Sequence, residues 1–364
     1  MKPLGPFAGT ISHRITVKKN ISSMDIKENK RGVLLTDFKA SSDWDFCRAL
    51  SDHSGYSFEV KYDDKALSYQ AKWKRLLSYF CFPFCLLFLP KDVFVIVSWQ
   101  QFFGLLYAFY CRLFHVKKTC KVYIMTFIYK PKRGIVGKIY KHFMTYIVQS
   151  EYVDKLIVFT KNEVEHYAQT FGVPKDKFFF TPLTISEVKI SKCDEALRSE
   201  KYVFSTGRSN RDYELLLKIF ENSEHSLHIA CNTLGSDNTP HNIRIYTNMF
   251  GEDMRKHMYN SYCVAIALKD PNISSGQLVF LQAMQMGKPI VCTRCSAVSD
   301  YLTDGYNALL VNTESEWEEA IERLYTDCEL YDRISKNAYN DYLTKYSSDS
   351  MAKSIGLMIK EDMA

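Results

Sequence analysis

No aspartate or glutamate occurs between Val93 and Ser150. The gap belongs to a wider imbalance. Residues 1–200 hold 31 Lys/Arg against 19 Asp/Glu, a balance of +12, whereas residues 201–364 hold 16 against 22, a balance of −6. Such a split argues for two domains facing different surroundings, with an anionic partner for the first: lipid headgroups or phosphates. Nucleic acid is not expected, because no RNA- or DNA-binding motif is present and the aromatics fall in core-like strands and helices. No apolar run reaches the ~20 residues that span a bilayer. The longest candidate, Leu76–Pro90, contains Pro83 and is stopped by Lys91 and Asp92. It reads either as a core segment or as a monotopic insertion. The opening "MKPLGPFAGTISHRITVKK" lacks an apolar signal-peptide core. The 11 cysteines are scattered and odd in number, which fits reduced thiols in a cytoplasmic compartment. Cys292 and Cys295 have CxxC spacing but no second pair, so no metal is expected.

What is present is a core: 46% of residues are apolar and 14% aromatic. Short β-branched runs alternate with amphipathic helices, which predicts parallel sheets. The first series is "GVLLTDF" (32–38), a helix capped near Ser42, "YSFEVKY" (56–62), "DVFVIVSW" (92–99), a helix over 100–114, "CKVYIMTFI", "DKLIVFT" (154–160), a helix ending at Gly172, and "FFFTPL". A loop at about 184–200 leads to the second: "YVFSTG" (202–207), "RDYELLLKIFEN", "HSLHIAC", "NIRIYT", "GEDMRKHMYNS", "YCVAIAL", "SGQLVFLQAMQMG", "PIVCTR", a helix over "AVSDYLTDG", "NALLVN", and helices after Thr313. The expected division is a first Rossmann-like domain over 1–190, a second over 191–345, and a C-terminal helix over 346–364 packing back on the first. Ligands of such sheets bind beyond the carboxyl ends of the strands.

Two stretches of the second series carry chemistry. In "SSGQLVFLQAMQMGKP" (274–289), Ser274, Ser275 and Gly276 open a helix with small residues. A helix N-terminus offers unpaired amides and about half a positive charge, so an anion can approach the bare backbone. A plain serine cap is the bland alternative. Gln282, on one face with Leu278 and Leu281, is placed to serve a ligand hydroxyl or a buried partner. Gly287 sits where a C-cap glycine belongs. The second stretch, "STGRSNRDYELLL" (205–217), turns at Gly207 and supplies Arg208 and Arg211, whose planar forks suit phosphate oxygens. A solvated loop is its alternative.

"GQLVFLQAMQMGKPIVCTRCSAVSDYLTDGYNALLVN" and "TGRSNRDY" resemble the donor-binding segment and phosphate-binding loop of family 4-like GT-B glycosyltransferases, over roughly 200–345. The resemblance implies a fold of two doubly wound Rossmann-like domains facing a cleft. It implies a nucleotide-sugar donor, here a UDP-sugar, held by Gly207, Arg208, Arg211, Ser274, Ser275, Gly276, Gln277 and Gln282, with backbone near Tyr246 and Thr247 reading the base. Where the family has two glutamates, this chain has Ser274 and Gln282. Glutamine keeps the hydrogen bonds to a ribose, but serine does not replace a charge. Retention and the absence of a metal or other cofactor are likewise implied.

On the first domain, the loop "DFKASSDWD" (37–45) should face the cleft. Trp44 is a candidate to stack on an acceptor sugar and Asp43 to orient its hydroxyl, although a structural cap and an anchoring tryptophan explain both equally well. Lys72, Lys74 and Arg75 beside the apolar stretch, and Lys130, Lys132 and Arg133 further on, suit an anionic membrane surface. The expected activity is sugar transfer to a lipid-linked saccharide in surface polysaccharide assembly, by an enzyme peripheral to the inner face of the membrane. The alternatives are a nucleotide-sugar epimerase of the same fold and a non-catalytic nucleotide-sugar-binding subunit.

Overall fold

The computed structural model describes residues 30–64, 72–188, 193–235, 239–270 and 275–364. The basic lead-in therefore lies outside the described residues. The first series forms β1 (Arg31–Thr36), α1 (Asp45–Ser54), β2 (Ser57–Tyr62), α2 (Lys72–Cys85) with a 3-10 turn at Leu86–Phe88, β3 (Val93–Ser98), α3 (Gln101–Leu113), β4 (Lys121–Ile124), α4 (Gly134–Val148), β5 (Lys155–Val158), α5 (Lys161–Phe171) and β6 (Phe178–Phe180). A short α6 (Glu195–Ser199) interrupts the link to the second series. That series is β7 (Val203–Thr206), α7 (Tyr213–Glu221), β8 (Leu227–Ala230), β9 (Ile243–Tyr246), α8 (Gly251–Asn260), β10 (Cys263–Ile266), α9 (Gln277–Gln285), β11 (Ile290–Thr293) and β12 (Leu309–Val311). Three helices follow: α10 (Glu314–Thr326), α11 (Cys328–Asp341) and α12 (Ser348–Asp362).

The strands build two six-stranded parallel sheets, ordered β2-β1-β3-β4-β5-β6 and β12-β11-β10-β7-β8-β9. Helices cover both faces, which is why strands such as β3 and β10 read as unbroken apolar runs rather than alternating ones. Capping boxes start α5, with Thr160 and Glu163, and α10, with Thr313 and Glu316. Gly172 ends α5 in the left-handed region. This is a GT-B architecture of two Rossmann-like domains.

The structure departs from the sequence reading in places. The cap of α1 is Trp44, with no side-chain bond, rather than Ser42. "AVSDYLTDG" is not a helix. It makes one helical turn, with Leu302 N bonded to Val298 O at 2.8 Å. The Asn307 side chain then captures Thr303 N at 2.7 Å and Asp304 captures Leu310 N at 2.9 Å. Short polar side chains have outcompeted the helical ladder. On α9, Leu278 stays exposed while Leu281 is buried.

The chain crosses back at its end. Gly356 of α12 lies so close to α1 that an added Cβ would sit 2.7 Å from His53 Cβ and 3.0 Å from Ser54 N. Asp362 then accepts from Lys121 Nζ at 2.9 Å and Tyr123 Oη at 2.7 Å. The two domains also touch directly. Asp300 accepts from the backbone of Lys161, at the start of α5, at 2.8 Å, and Tyr301 Oη donates to Phe159 O at 2.6 Å.

Gly356→Ala separates intrinsic propensity from packing. In an exposed helix the change stabilises by up to ~1 kcal/mol. Against α1 it overpacks and is expected to cost about 1–3 kcal/mol. Urea unfolding reads the sign.

Candidate functional site

The second sheet reverses direction between β10 and β7. From β7 the chain proceeds to β8 and β9 on one side. From β10 it proceeds to β11 and β12 on the other. The loops leaving these neighbouring strands must diverge, and the crevice between them is where such sheets bind ligands.

The loop after β7 begins at Gly207, whose φ of +133° places it in a region side chains rarely adopt. A Cβ there would lie 2.4 Å from Arg211 Nε, so glycine is what lets the Arg211 guanidinium tuck beneath the loop. Arg211 is half-buried and donates from Nε to Thr206 O at 3.0 Å and from Nη1 to Ser209 O at 2.9 Å. Burial pulls its pKa down, but a guanidinium stays charged at neutral pH. Part of its fork thus braces the loop, and its charge lies under the crevice. Arg208 differs. It is exposed, and its guanidinium rests over Phe250, 4.7 Å from the ring centre, at the start of α8.

Between them stands Asn210, at φ +56°, and sequence reading did not single it out. Its Nδ2 donates to Asp270 O at 2.8 Å and to Ser275 Oγ at 3.0 Å, while its Oδ1 accepts from Asp270 N at 2.9 Å. One side chain therefore joins the arginine loop to the head of α9. The only advance signal was a residue type that tolerates left-handed φ and copies backbone hydrogen bonding. Asp212 N also donates to Ala267 O at 2.9 Å.

Helix α9 starts from Gly276 at φ +94°, with Gln277 in its first turn. Ser275 is buried beside it, and Gln282 is half-buried in the second turn. The first-turn amides and the positive end of the helix dipole look out from this end. Ser274 lies outside the described residues. Gln285, which the sequence reading passed over, is buried and donates to Ser186 O at 3.1 Å and to Tyr342 Oη, tying α9 to the chain's crossover. Cys292 and Cys295 are buried, and burial raises both thiols.

At the rim of β9, Thr247 is exposed. The Tyr246 ring turns inward onto His257, with centroids 4.8 Å apart. His228 is stacked on Tyr202 at 3.8 Å, and its Nε2 lies 3.1 Å from Glu200. Burial holds both imidazoles below their ordinary pKa.

The first sheet has its own reversal, between β1 and β3. There Gln100 Nε2 donates to Asp37 at 2.8 Å. Trp44 packs against Phe38, Phe46 and Trp99 with centroids 5.3, 5.1 and 5.1 Å away. Its half-buried ring also lines a cavity of about 800 Å³, shared with Arg48, Glu187, Tyr342 and Asp349. Asp43 is exposed, and Asp45 pairs with Arg48. A second cavity, of about 520 Å³, lies between the domains. Ile128, Lys130, Asn162 and His166 wall it on one side and Ser296 and Ala297 on the other. Lys132 lies over the Tyr140 ring at 4.5 Å, and Arg133 precedes α4. The side chains of Lys72, Lys74 and Arg75 lie outside the description.

Residues 209–327 match the family model "Glycosyl transferases group 1". No curated protein matches the chain in sequence. Among solved structures, the chain is similar to HepE of Anabaena in complex with UDP, with a TM-score of 0.65 at 11% identity, covering 91% of this chain and 100% of that one. Sucrose-phosphate synthase of Thermosynechococcus elongatus gives 0.62 at 11%, covering 92% and 99%. WaaG, a glycosyltransferase involved in lipopolysaccharide biosynthesis, gives 0.53 at 11%, covering 90% and 99%.

Two predictions follow from this geometry. Asn210→Ala removes the side-chain bridge between the loops, leaving the backbone bond of Asp212 to Ala267, and is expected to cost about 1–3 kcal/mol in urea unfolding. His228 titrates lower folded than unfolded, so its contribution is complete above its unfolded pKa of ~6.5 and is lost as pH falls from there towards the folded value. Unfolding curves from about pH 7 down to about pH 5 should show falling stability, with a shallower slope in His228→Gln.

Proposed function

The chain carries a group 1 glycosyltransferase domain on a GT-B fold, and from that premise we propose that it moves a sugar from a nucleoside diphosphate to a saccharide acceptor. The donor is read as a UDP-sugar. HepE was solved with UDP and with UDP-glucose, and that supports the choice. The observation carrying the reading is the Asn210 bridge, which brings the Arg211 loop and the head of α9 to one crevice.

In this reading the donor's diphosphate lies across that crevice. As the bond to the sugar breaks, negative charge gathers on the departing phosphate. Arg211 meets it as a preorganised charge, and the amides of α9 as fixed dipoles; neither has to reorganise during the reaction. Arg208 swings from the face of Phe250 to the outer phosphate. Gln282 donates to and accepts from the ribose hydroxyls. The sugar is transferred with retention, and no metal or other cofactor takes part. Closure of the domains, along the contacts of Asp300 and Tyr301, keeps water from the donor. The acceptor approaches from the first domain, past Trp44 and Asp43 or through the cavity walled by Lys130. It is a lipid-linked saccharide, and the enzyme works in surface polysaccharide assembly as a peripheral protein on the inner face of the membrane. No described helix is long and apolar enough to cross a membrane.

Ser274 and Gln282, where the family has glutamates, favour a second reading: a subunit that binds a nucleotide sugar without turning it over. One assay separates these. A nucleotide-sugar panel is incubated with the protein and a membrane-lipid extract, and the products are followed by mass. Sugar on lipid supports transfer, epimerised donor without lipid points to an epimerase, and binding without turnover points to the subunit. The Arg208→Ala, Arg211→Ala double variant is expected to lose about 1.5–3 kcal/mol of donor binding per charge-assisted contact removed. Unchanged UDP affinity by calorimetry would remove the site.

A further inference from the structure

We propose that α2, α3 and α4 form one face that embeds in an anionic bilayer, and that this face brings the mouth of the interdomain cavity to the headgroups. The inference deepens the membrane reading above and stands apart from the donor chemistry.

The face is apolar where a soluble surface should be polar. Phe88 is 79% exposed, Ile135 77%, Ile139 66% and Val136 65%. Scattered exposed hydrophobics need no explanation, but a connected patch does. Here the rings connect. Phe84 contacts Phe88 at 6.2 Å, Tyr110 at 5.5 Å and Phe114 at 6.1 Å. Tyr110 then contacts Phe109 at 5.6 Å, and Phe109 contacts Phe143 at 5.1 Å. The chain of rings runs across all three helices. Where it reaches α4, an apolar groove of about 540 Å³ opens between Phe109, Ile139, Phe143 and Tyr146, with Lys138 and His142 among its lining. A hydrocarbon chain suits such walls.

Charge selects the occupant. The segment from Val93 to Ser150, which supplies α3 and α4, has no acidic residue. Asp92, just before it, is paired with Arg31 at 2.8 Å. Lys132, Arg133, Lys138 and Lys141 make no ion pair among the described residues. Cations with long apolar stems around exposed aromatics suit an interface of anionic headgroups over hydrocarbon. Each such cation near the surface strengthens binding about fivefold. A second copy of this chain would bring like charges together.

Placement supplies the functional step. Ile128 and Lys130 wall the interdomain cavity opposite Ser296 and Ala297, and the exposed face of α4 begins at Ile135, in the helix that follows directly. A bilayer against α4 therefore lies at the cavity's mouth. A saccharide on a lipid anchor can enter while its tail remains in the membrane.

The test uses the full chain with vesicles of phosphatidylcholine, with and without phosphatidylglycerol, in a flotation assay. Wild type is expected to float with the anionic vesicles and to release in high salt. Phe88→Asp with Ile139→Asp should reduce flotation more than tenfold. Lys138→Glu with Lys141→Glu should abolish the preference for phosphatidylglycerol. UDP affinity, measured without vesicles, should be unchanged in both variants, which shows that they fold and separates this surface from the donor site. Wild type failing to float, or the aspartate variant floating as wild type does, overturns the proposal. So does a wild type that sediments as a dimer without lipid and is made monomeric by the aspartates, since the face would then bind a second copy.

Discussion

The crevice depends on how the loops after β7 and β10 are joined, by a short backbone bridge between Arg211 and Leu268 and by the Asn210 side chain. Where the sheet reverses between β10 and β7, two loops must part, and nothing in the strand ladder fixes their separation. The bond from Asp212 N to Ala267 O sets part of it, and Asn210 extends the join to the head of α9 by pairing with both backbone groups of Asp270 and with Ser275 Oγ. Everything placed on those loops inherits that register: the tucked Arg211, the glycine that makes room for it, and the open end of α9. Neutral hydrogen bonds suit this role, because they hold geometry without cancelling the positive charge that an anion would meet. A carboxylate at position 210 would satisfy the Asp270 amide but would repel both the Asp270 carbonyl and the ligand.

The two arginines divide the work between rigidity and reach. Arg211 loses freedom to the loop through two backbone carbonyls and so would lose little further entropy in holding the proposed diphosphate. Arg208 spends its resting state on an aromatic face, a contact weak enough at an exposed site to be given up. The domain junction shows a similar economy. Asp300 joins the domains by accepting from the first turn of α5, where a carboxylate is favoured by the helix dipole, while the apolar contact with the first domain is made by α12.

Much of this was legible in the sequence because it rests on local rules. Short β-branched runs bounded by amphipathic helices specified parallel strands, and Gly207, Gly276 and Gly287 marked backbone that only glycine adopts readily. What was not legible depended on partners distant in the chain. The helix expected over "AVSDYLTDG" failed because Asn307 reaches back to take the amide of Thr303, while Asp304 turns forward to the amide of Leu310. Asn210 looked like one polar loop residue among several, and only the fold brings Asp270 to it. The basic residues were legible as charge but not as place. Lys130 walls the interdomain cavity, while Lys138 and Lys141 lie further along on α4.

That separation bears on how the first domain differs from the second. The second is acidic overall, and Arg208 and Arg211 place positive charge at its crevice. The first is basic overall, and Lys132, Arg133, Lys138 and Lys141 lie near a connected run of exposed and half-buried rings. A diffusible anion of defined shape requires the first kind of arrangement: few donors, held rigidly, at fixed distances. A fluid surface of anionic headgroups has no fixed geometry to match, and rewards number and nearness of cations together with rings that partition into hydrocarbon. The charge asymmetry visible in the sequence thus matches the two ways of holding an anion proposed for the two domains.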